Sequence, residues 1–476
     1  MQEKCLFVYV GQPDMSFALA GKRDYDIKRE PQIGFAYLVS VLRQQGVDSE
    51  ILDFTITPYT KESLNSHIAE VSPLFVGFYG SAAMKDHMFE FLRATREKFP
   101  KLKIFAGGPD MFDCESYLNA GVDVFCLNEG EKTIVEMIEY CRGKINLPQI
   151  KGIAYKERGE IKYTPERELV KNLDELPMPA WDKFDLNNFY DYHVFDMRTP
   201  YTSIMASRGC PFKCSYCVSH KIWGGVYRSR SVESVLEEID YLVKEKGVKY
   251  LMFQDDIWSW LNDDWAREFC QKLIERNYDL KWRCILHPFS FLKSRKEILP
   301  LMKKAGCSSI TIGLQSASKE ILKNVNRSPE QPQALADLVK ELKKSGILNS
   351  VEFIFGLPGD TEETMEETIK FALKIKPTFC GFYVLTVLIG SDIWLAQKEG
   401  KFQPMPEELV QRKCKEAAKR FYTNPRVVFN TFEAILRTNP RWFLKVFGHG
   451  KYLLEIAGIL GKKTVADIPL RTAKRV

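Results

Sequence analysis

The densest chemistry in the chain lies in one short run, Ser207-Arg208-Gly209-Cys210-Pro211-Phe212-Lys213-Cys214-Ser215-Tyr216-Cys217. Three cysteines at C-x3-C-x2-C spacing make a tight loop of thiolates just after Ser203–Ser207, which reads as a strand. Thiolates are soft ligands suited to iron–sulfur clusters, and three of them leave one iron of a cubane open. A structural zinc site wants four closed ligands, and no fourth cysteine lies nearby. His220, three residues past Cys217, would complete a zinc knuckle, and that is the competing reading.

Three more segments put polar or glycine residues at the ends of expected strands: Phe253-Gln254-Asp255-Asp256, Gly313-Leu314-Gln315-Ser316 and Phe355-Gly356-Leu357-Pro358-Gly359-Asp360-Thr361. Taken singly, Gly356–Asp360 is a turn and Asp255-Asp256 a helix N-cap. Arg228 and Arg230 suit either an anion contact or a solvated surface. Cys5, Cys114, Cys126, Cys141, Cys270, Cys284, Cys307, Cys380 and Cys414 show no ligand spacing and read as small buried hydrophobes. His67, His87, His287 and His449 read as surface or satisfied core groups. Tyr383 faces either a cavity or the core.

These residues need a frame. Residues 196–400 alternate strand and helix, with strands expected at Ser203–Ser207, Tyr250–Gln254, Trp282–Leu286, Ser309–Leu314, Val351–Phe355 and Cys380–Leu388. Val232, Val235, Leu236, Ile239, Leu242 and Val243 mark the first helix. Six such units suggest an open partial (β/α)6 barrel with its chemistry at the strands' carboxyl ends. Residues 1–145 also alternate, with strands at Leu6–Val10, Asp48–Asp53, Leu74–Phe78, Lys103–Ala106 and Val122–Leu127. That pattern is a doubly wound, Rossmann-like parallel sheet with its ligand crevice at the strand ends. The turns there carry Gly11, Gly80-Ser81 and Gly107-Gly108-Pro109. Residues 146–195, with Pro177 and Pro179, read as a linker. Residues 401–476 read as a mainly helical, basic C-terminal region. The whole is α/β.

The length of 476 residues calls for about three domains, and 45% hydrophobic with 27% charged residues argues against disorder. No run of about 18 uncharged apolar residues occurs, so no helical span is expected. The opening Met1-Gln2-Glu3-Lys4 lacks a basic stretch followed by an apolar one, and twelve cysteines suit thiols or ligands better than disulfides. A cytoplasmic protein is expected, with no nucleic-acid partner. Of the net charge of +6, residues 401–476 carry +10 and the rest −4. A basic tail with Arg441–Phe447 and Tyr452–Leu460 as amphipathic stretches suits peripheral contact with the inner face of a membrane. Helices capping the open side of the barrel are the alternative.

Over residues 1–400 the sequence resembles the radical S-adenosylmethionine (radical SAM) superfamily, and its cobalamin (B12)-binding branch. The resemblance rests on the cysteine motif with Tyr216 before the last cysteine, on the three strand-end segments, and on Pro31-Gln32-Ile33-Gly34-Phe35-Ala36-Tyr37-Leu38. Ala106-Gly107-Gly108-Pro109 and Asn128-Glu129-Gly130-Glu131-Lys132-Thr133 resemble the branch's later cobalamin-binding turns. It implies a [4Fe–4S] cluster on Cys210, Cys214 and Cys217, with SAM chelating the fourth iron. SAM contacts would come from Tyr216, Asp255, Asp256, Gln315, Ser316 and Gly356; Gln315 stands where many relatives have Glu. Cobalamin contacts would come from Gly80, Ser81, Gly107, Gly108, Pro109, Gly130 and Glu131. The Asp-x-His-x-x-Gly pattern of histidine-ligated cobalt is absent from Gly11-Gln12-Pro13-Asp14, and Asp191-Tyr192-His193 is far outside the domain. The implied cofactor is therefore base-off, without a histidine ligand.

The implied activity is cleavage of SAM to a 5′-deoxyadenosyl radical and methylation of an unactivated carbon. The implied partners are a small-molecule or lipid-like substrate and an external electron donor of flavodoxin or ferredoxin type. The alternatives are a cyclase or rearrangement enzyme of the tetrapyrrole ring-forming type, and a cobalamin-binding regulator with a structural cluster.

Overall fold

The computed structural model describes residues 3–11, 28–57, 59–191 and 199–438. They divide into two compact units, Met1–Phe189 and Tyr190–Val476.

In the first unit the strands lie in the order Asp48–Asp53, Lys4–Tyr9, Val76–Tyr79, Ile104–Gly107, Val124–Cys126, Ile153–Glu157, Glu160–Tyr163. The first five pair in parallel, in register Phe7↔Ile51, Phe7↔Gly77 and Gly77↔Phe105. Both faces are covered, as a parallel sheet requires. Leu6 and Val8 join Leu64, Ile68, Met88, Leu92 and Leu118 in one core. Cys5 and Phe7 point the other way, onto Phe35, Val39, Leu42, Ile134 and Ile138. The chain order therefore reverses between the strands Lys4–Tyr9 and Val76–Tyr79, and the crevice of a doubly wound sheet opens at that switch point.

The linker expected over 146–195 differs from the structure. Its first short strand, Ile153–Glu157, pairs antiparallel with Val124–Cys126, its second, Glu160–Tyr163, pairs antiparallel with the first, and the unit runs on to Phe189. The proline stretch packs rather than links. Ala180 N donates to Ala36 O at 3.0 Å, Ser40 Oγ donates to Met178 O at 2.6 Å, and Trp181 and Phe189 are fully buried.

The second unit holds six parallel strands in chain order: Tyr201–Ile204, Tyr250–Phe253, Lys281–Leu286, Cys307–Gln315, Leu348–Phe355 and Phe379–Val384. This is the open (β/α)6 barrel. The strand Lys281–Leu286 alternates strictly in burial, and Cys307–Gln315 and Leu348–Phe355 do so after their first residue. Trp282 packs edge-on against Phe253 and Phe269 under the helix Asp263–Arg276, so Trp282, Cys284 and Leu286 face outward. Lys281, Arg283 and Ile285 then face the lumen and stay half-buried. Side chains fill a closed barrel; here they leave the lumen accessible. The helices Glu407–Tyr422 and Pro425–Thr438 belong to this unit. Tyr422 Oη donates to Cys380 O at 2.9 Å and accepts from Cys380 N at 3.1 Å, and Thr431 Oγ1 donates to Thr378 O at 2.9 Å. The tail stretches Arg441–Phe447 and Tyr452–Leu460 lie outside the described residues.

Candidate functional site

The first barrel strand stops at Ile204, three residues short of its expected end. Ser207–Arg208 instead forms a short antiparallel ladder with Arg228–Ser229. The chain turns at Gly209, where φ is +96° and a Cβ would lie 2.0 Å from Val226 O. Only glycine passes there. The cysteine loop follows and is tied down at its middle: Ser215 N donates to Val325 O at 3.2 Å and Ser215 O accepts from Ile393 N at 3.0 Å. The Tyr216 ring packs on Ile321, Val325 and Leu357.

Cys214 is buried, and Cys210 and Cys217 are half-buried. Burial pushes the Cys210 thiol up to about 12 and the Cys217 thiol up to about 11, so iron ligation must displace their protons. Donors already aim at the sulfurs: Ser219 N lies 3.4 Å from Cys217 Sγ, and Arg327 Nη1 lies 3.9 Å from Cys214 Sγ. Among the described residues no three His, Cys, Asp or Glu side chains close on a single metal ion. A cubane takes one thiolate per iron. Its three sulfurs need not converge on one point, whereas the ligands of a zinc knuckle through His220 must.

The strand-end segments differ in what they hold. Asp255 is 1% exposed, and both its oxygens are engaged: Oδ1 accepts from Ala206 N at 2.9 Å and Oδ2 from Ser207 Oγ at 2.6 Å. It braces the chain entering the cysteine loop. Its carboxyl is pushed up to about 7 by burial. Asp256 adds negative charge beside Cys210 and Cys217. Burial of its carboxyl raises its pKa, and the Gly209 N–H draws it back.

The strand Cys307–Gln315 has a register shift between Gly313 and Gln315, and Gln315 takes φ +77°. This folds its amide back over Gly313, where a Cβ would sit 2.5 Å from Gln315 Nε2. Ser316 is 2% exposed, and its hydroxyl accepts from Ser318 N at 3.2 Å and meets Thr368 Oγ1 at 3.3 Å. It serves the packing. Asp360 accepts from Gly356 N at 2.9 Å and Leu357 N at 3.0 Å, pinning that turn, with Val410 at 3.3 Å from a Cβ on Gly356. Arg230 is 7% exposed and forms an ion pair with Glu238, so it is neither an anion contact nor solvated surface. The Tyr383 ring lies back over Gly381 and is 46% exposed, on the lumen face beside Glu352. Burial pushes the Glu352 carboxyl upward.

Arg327 and Gln331 lie by the cysteine loop without having shown in the sequence, and His287, read there as a surface or satisfied core group, is a satisfied core group, 6% exposed and bonded to Gln331. Arg327 stands alone in Asn324-Val325-Asn326-Arg327, with no spacing to mark it.

In the first unit, Gly80, Gly107 and Gly108 meet across neighbouring strand ends. Gly80 N donates to Gly107 O at 2.7 Å. A Cβ on Gly108 would lie 2.5 Å from Gly80 O, and one on Gly107 would lie 3.2 Å from Cys126 Cβ. Ser81 is half-buried and Pro109 exposed at the same rim. Gly130 opens the helix Glu131–Cys141, with Leu38 3.1 Å from a Cβ there, and Glu131 is 7% exposed. Asn128 Oδ1, at the next strand end, is buried without a hydrogen-bond partner. A glycine cradle with an orphaned amide oxygen fits a large ligand held by backbone contacts. The positions Gln12, Pro13, Asp14, Tyr192 and His193 lie outside the described residues.

A model of the radical SAM superfamily matches residues 204–372, and one of the B12 binding domain matches residues 28–138. An uncharacterized methyltransferase of Pyrococcus horikoshii is 30% identical over 367 residues, which is 76% of this chain and 78% of that protein. The anaerobic magnesium-protoporphyrin IX monomethyl ester cyclase of Cereibacter sphaeroides is 27% identical over 368 residues, 75% of this chain and 58% of the cyclase. Among solved structures, the cobalamin-dependent S-adenosylmethionine radical enzyme OxsB, with aqua-cobalamin and S-adenosylmethionine bound, has the same fold. Its TM-score is 0.72 at 17% identity, covering 98% of this chain and 74% of OxsB.

Proposed function

This chain belongs to the B12-binding branch of the radical SAM superfamily, and from that premise we propose that it methylates an unactivated carbon of its substrate. The observation that carries the reading is the cysteine loop: three sulfurs on one anchored turn, two of them already faced by hydrogen-bond donors.

Cys210, Cys214 and Cys217 would hold the [4Fe–4S] cluster, and the strand ends around Gly80, Gly107, Gly108 and Asn128 a base-off cobalamin. When bound, the cluster supplies an electron to the SAM sulfonium and cobalamin a transferable methyl group. Of the two acids, Asp256 would receive the methionyl amino group, because Asp255 is committed to Ala206 and Ser207. Gln315 keeps a donor and an acceptor for the ribose hydroxyls. Tyr216 stays a protonated phenol, since burial raises its pKa, and it orders the loop rather than moving protons.

The lumen face holds Arg283, Thr311, Ser350, Glu352 and Tyr383. A wall of that polarity suits a substrate whose reacting end carries hydrogen-bonding groups. Any lipid-like part would lie elsewhere, toward the exposed apolar residues Val428, Phe429, Phe432 and Leu436 of the last described helix. An external one-electron donor of flavodoxin or ferredoxin type completes the scheme.

The cyclase relative supports a second reading, a carbon-centred ring closure with the same cofactors. Product mass separates the two: a gain of one CH2 unit carries methylation, and its absence with 5′-deoxyadenosine formed carries the second reading. If SAM with dithionite yields no 5′-deoxyadenosine, both fall and a cobalamin-binding regulator with a structural cluster takes their place.

A further inference from the structure

A closed ring of buried side chains leaves the cysteine loop and returns to it. Arg327 is 9% exposed and uses its whole fork. Nη1 donates to Tyr216 Oη at 2.9 Å and lies 3.9 Å from Cys214 Sγ. Nη2 donates to Gly313 O at 2.7 Å, and Nε donates to Gln331 Oε1 at 2.7 Å. Gln331, 1% exposed, meets His287 Nε2 through its own Nε2 at 3.1 Å. The His287 ring stacks on Phe212 with centroids 4.0 Å apart and planes at 15°, and Phe212 is two residues past Cys210.

Among the described residues no carboxylate pairs with Arg327; the groups that face its charge are Tyr216 and Cys214. A guanidinium taken out of water is costly unless a partner answers its charge. His287 cannot compete as a cation, because burial and Arg327 hold it down at about 2. The sulfur of Cys214 is thus the implied cluster ligand that the guanidinium faces, at 3.9 Å from Nη1.

We propose that Arg327 is the fixed counter-charge of the iron–sulfur cluster, a positioning residue aimed by Gln331 and His287 that favours the reduced cluster. This rests on the cluster reading above. Each added electron makes a thiolate-ligated cluster more negative, and net charge and hydrogen bonds to sulfur set its potential. A buried cation at a ligand sulfur therefore raises the midpoint.

The test uses the full chain, reconstituted anaerobically as wild type, Arg327→Met and Arg327→Lys, with iron and sulfide counted before an EPR-monitored reductive titration. Arg327→Met is expected to shift the reduction equilibrium toward the oxidised form by about tenfold, or about 59 mV for one electron. Arg327→Lys is expected to recover most of that shift. A loaded Arg327→Met cluster with the wild-type midpoint overturns the proposal. If Arg327→Met takes up no iron, Arg327→Lys decides: a loaded cluster there supports the counter-charge, and an empty but natively folded Lys variant overturns it in favour of shape. A wild-type chain that never holds a cubane overturns the functional reading itself, which the iron count reveals before any titration.

Discussion

At the scale of single residues, Asp255 and Asp256 are neighbours with different work. Asp255→Ala removes two buried acceptors from the strand end and is expected to cost about 1–3 kcal/mol of stability, read by thermal melts. Asp256→Asn is expected to leave the melt unchanged and to weaken SAM binding, read as a raised KM for SAM. Asp255 also has a pH signature. Folded, it keeps its proton up to about pH 7, against an ordinary 3.8. Between those values the folded state binds the extra proton, so this group's contribution is present at acid pH and lost as pH rises toward 7. Asp255→Asn should flatten that slope in melts taken from pH 5 to 8. Gly209→Ala meets Val226 O at a positive φ and is expected to cost about 1–3 kcal/mol, with loss of the loop's geometry. Cys214→Ala is expected to abolish SAM cleavage and to lower the bound iron. The cysteine trio was legible because ligand chemistry imposes a spacing. The separate tasks of the two acids were not, since a hydrogen bond to Ala206 leaves no trace in a pair of aspartates. Arg230 was misleading for the same reason: it is satisfied by a partner along the chain, Glu238.

At the scale of elements, both sheets could be read from alternation. The strand Asp48–Asp53 and the helix Val232–Lys244 fall where the periodicity put them, because each buries one stripe against its sheet. What periodicity missed is the chain between sheets. The proline stretch looked like a linker, yet Ser40 and Ala36 hold it against their helix, and proline near a chain reversal signals a turn whether or not that turn packs. The end of the first barrel strand was also overextended, since Ser207 continues the β pattern but pairs with Ser229 instead. Likewise the helix Glu407–Tyr422 proves part of the barrel unit, with Val410 against Gly356. Deleting from residue 401 would therefore unfold the barrel edge; any test of the tail must begin after Thr438. Removal of residues 439–476 takes away a net charge of +6. It is expected to leave the melt within a few degrees and to reduce binding to anionic liposomes in a sedimentation assay. Unchanged sedimentation would remove the membrane contact from the account.

At the scale of the whole molecule, the chain joins two architectures that place their ligands by the same rule, at the carboxyl ends of parallel strands. In one unit the strand ends are glycines that bring backbones close; in the other they carry sulfurs, acids and an amide. No helix among the described residues is long and apolar enough to cross a membrane. The division of labour makes the central claim testable in one vessel. Purified chain, reconstituted without oxygen in iron, sulfide and hydroxocobalamin, should hold about four irons, four sulfides and one cobalamin per polypeptide. Its EPR spectrum when reduced should change on adding SAM, as a cubane with one open iron must. A chain that binds no iron, or a cluster whose spectrum ignores SAM, would contradict the account.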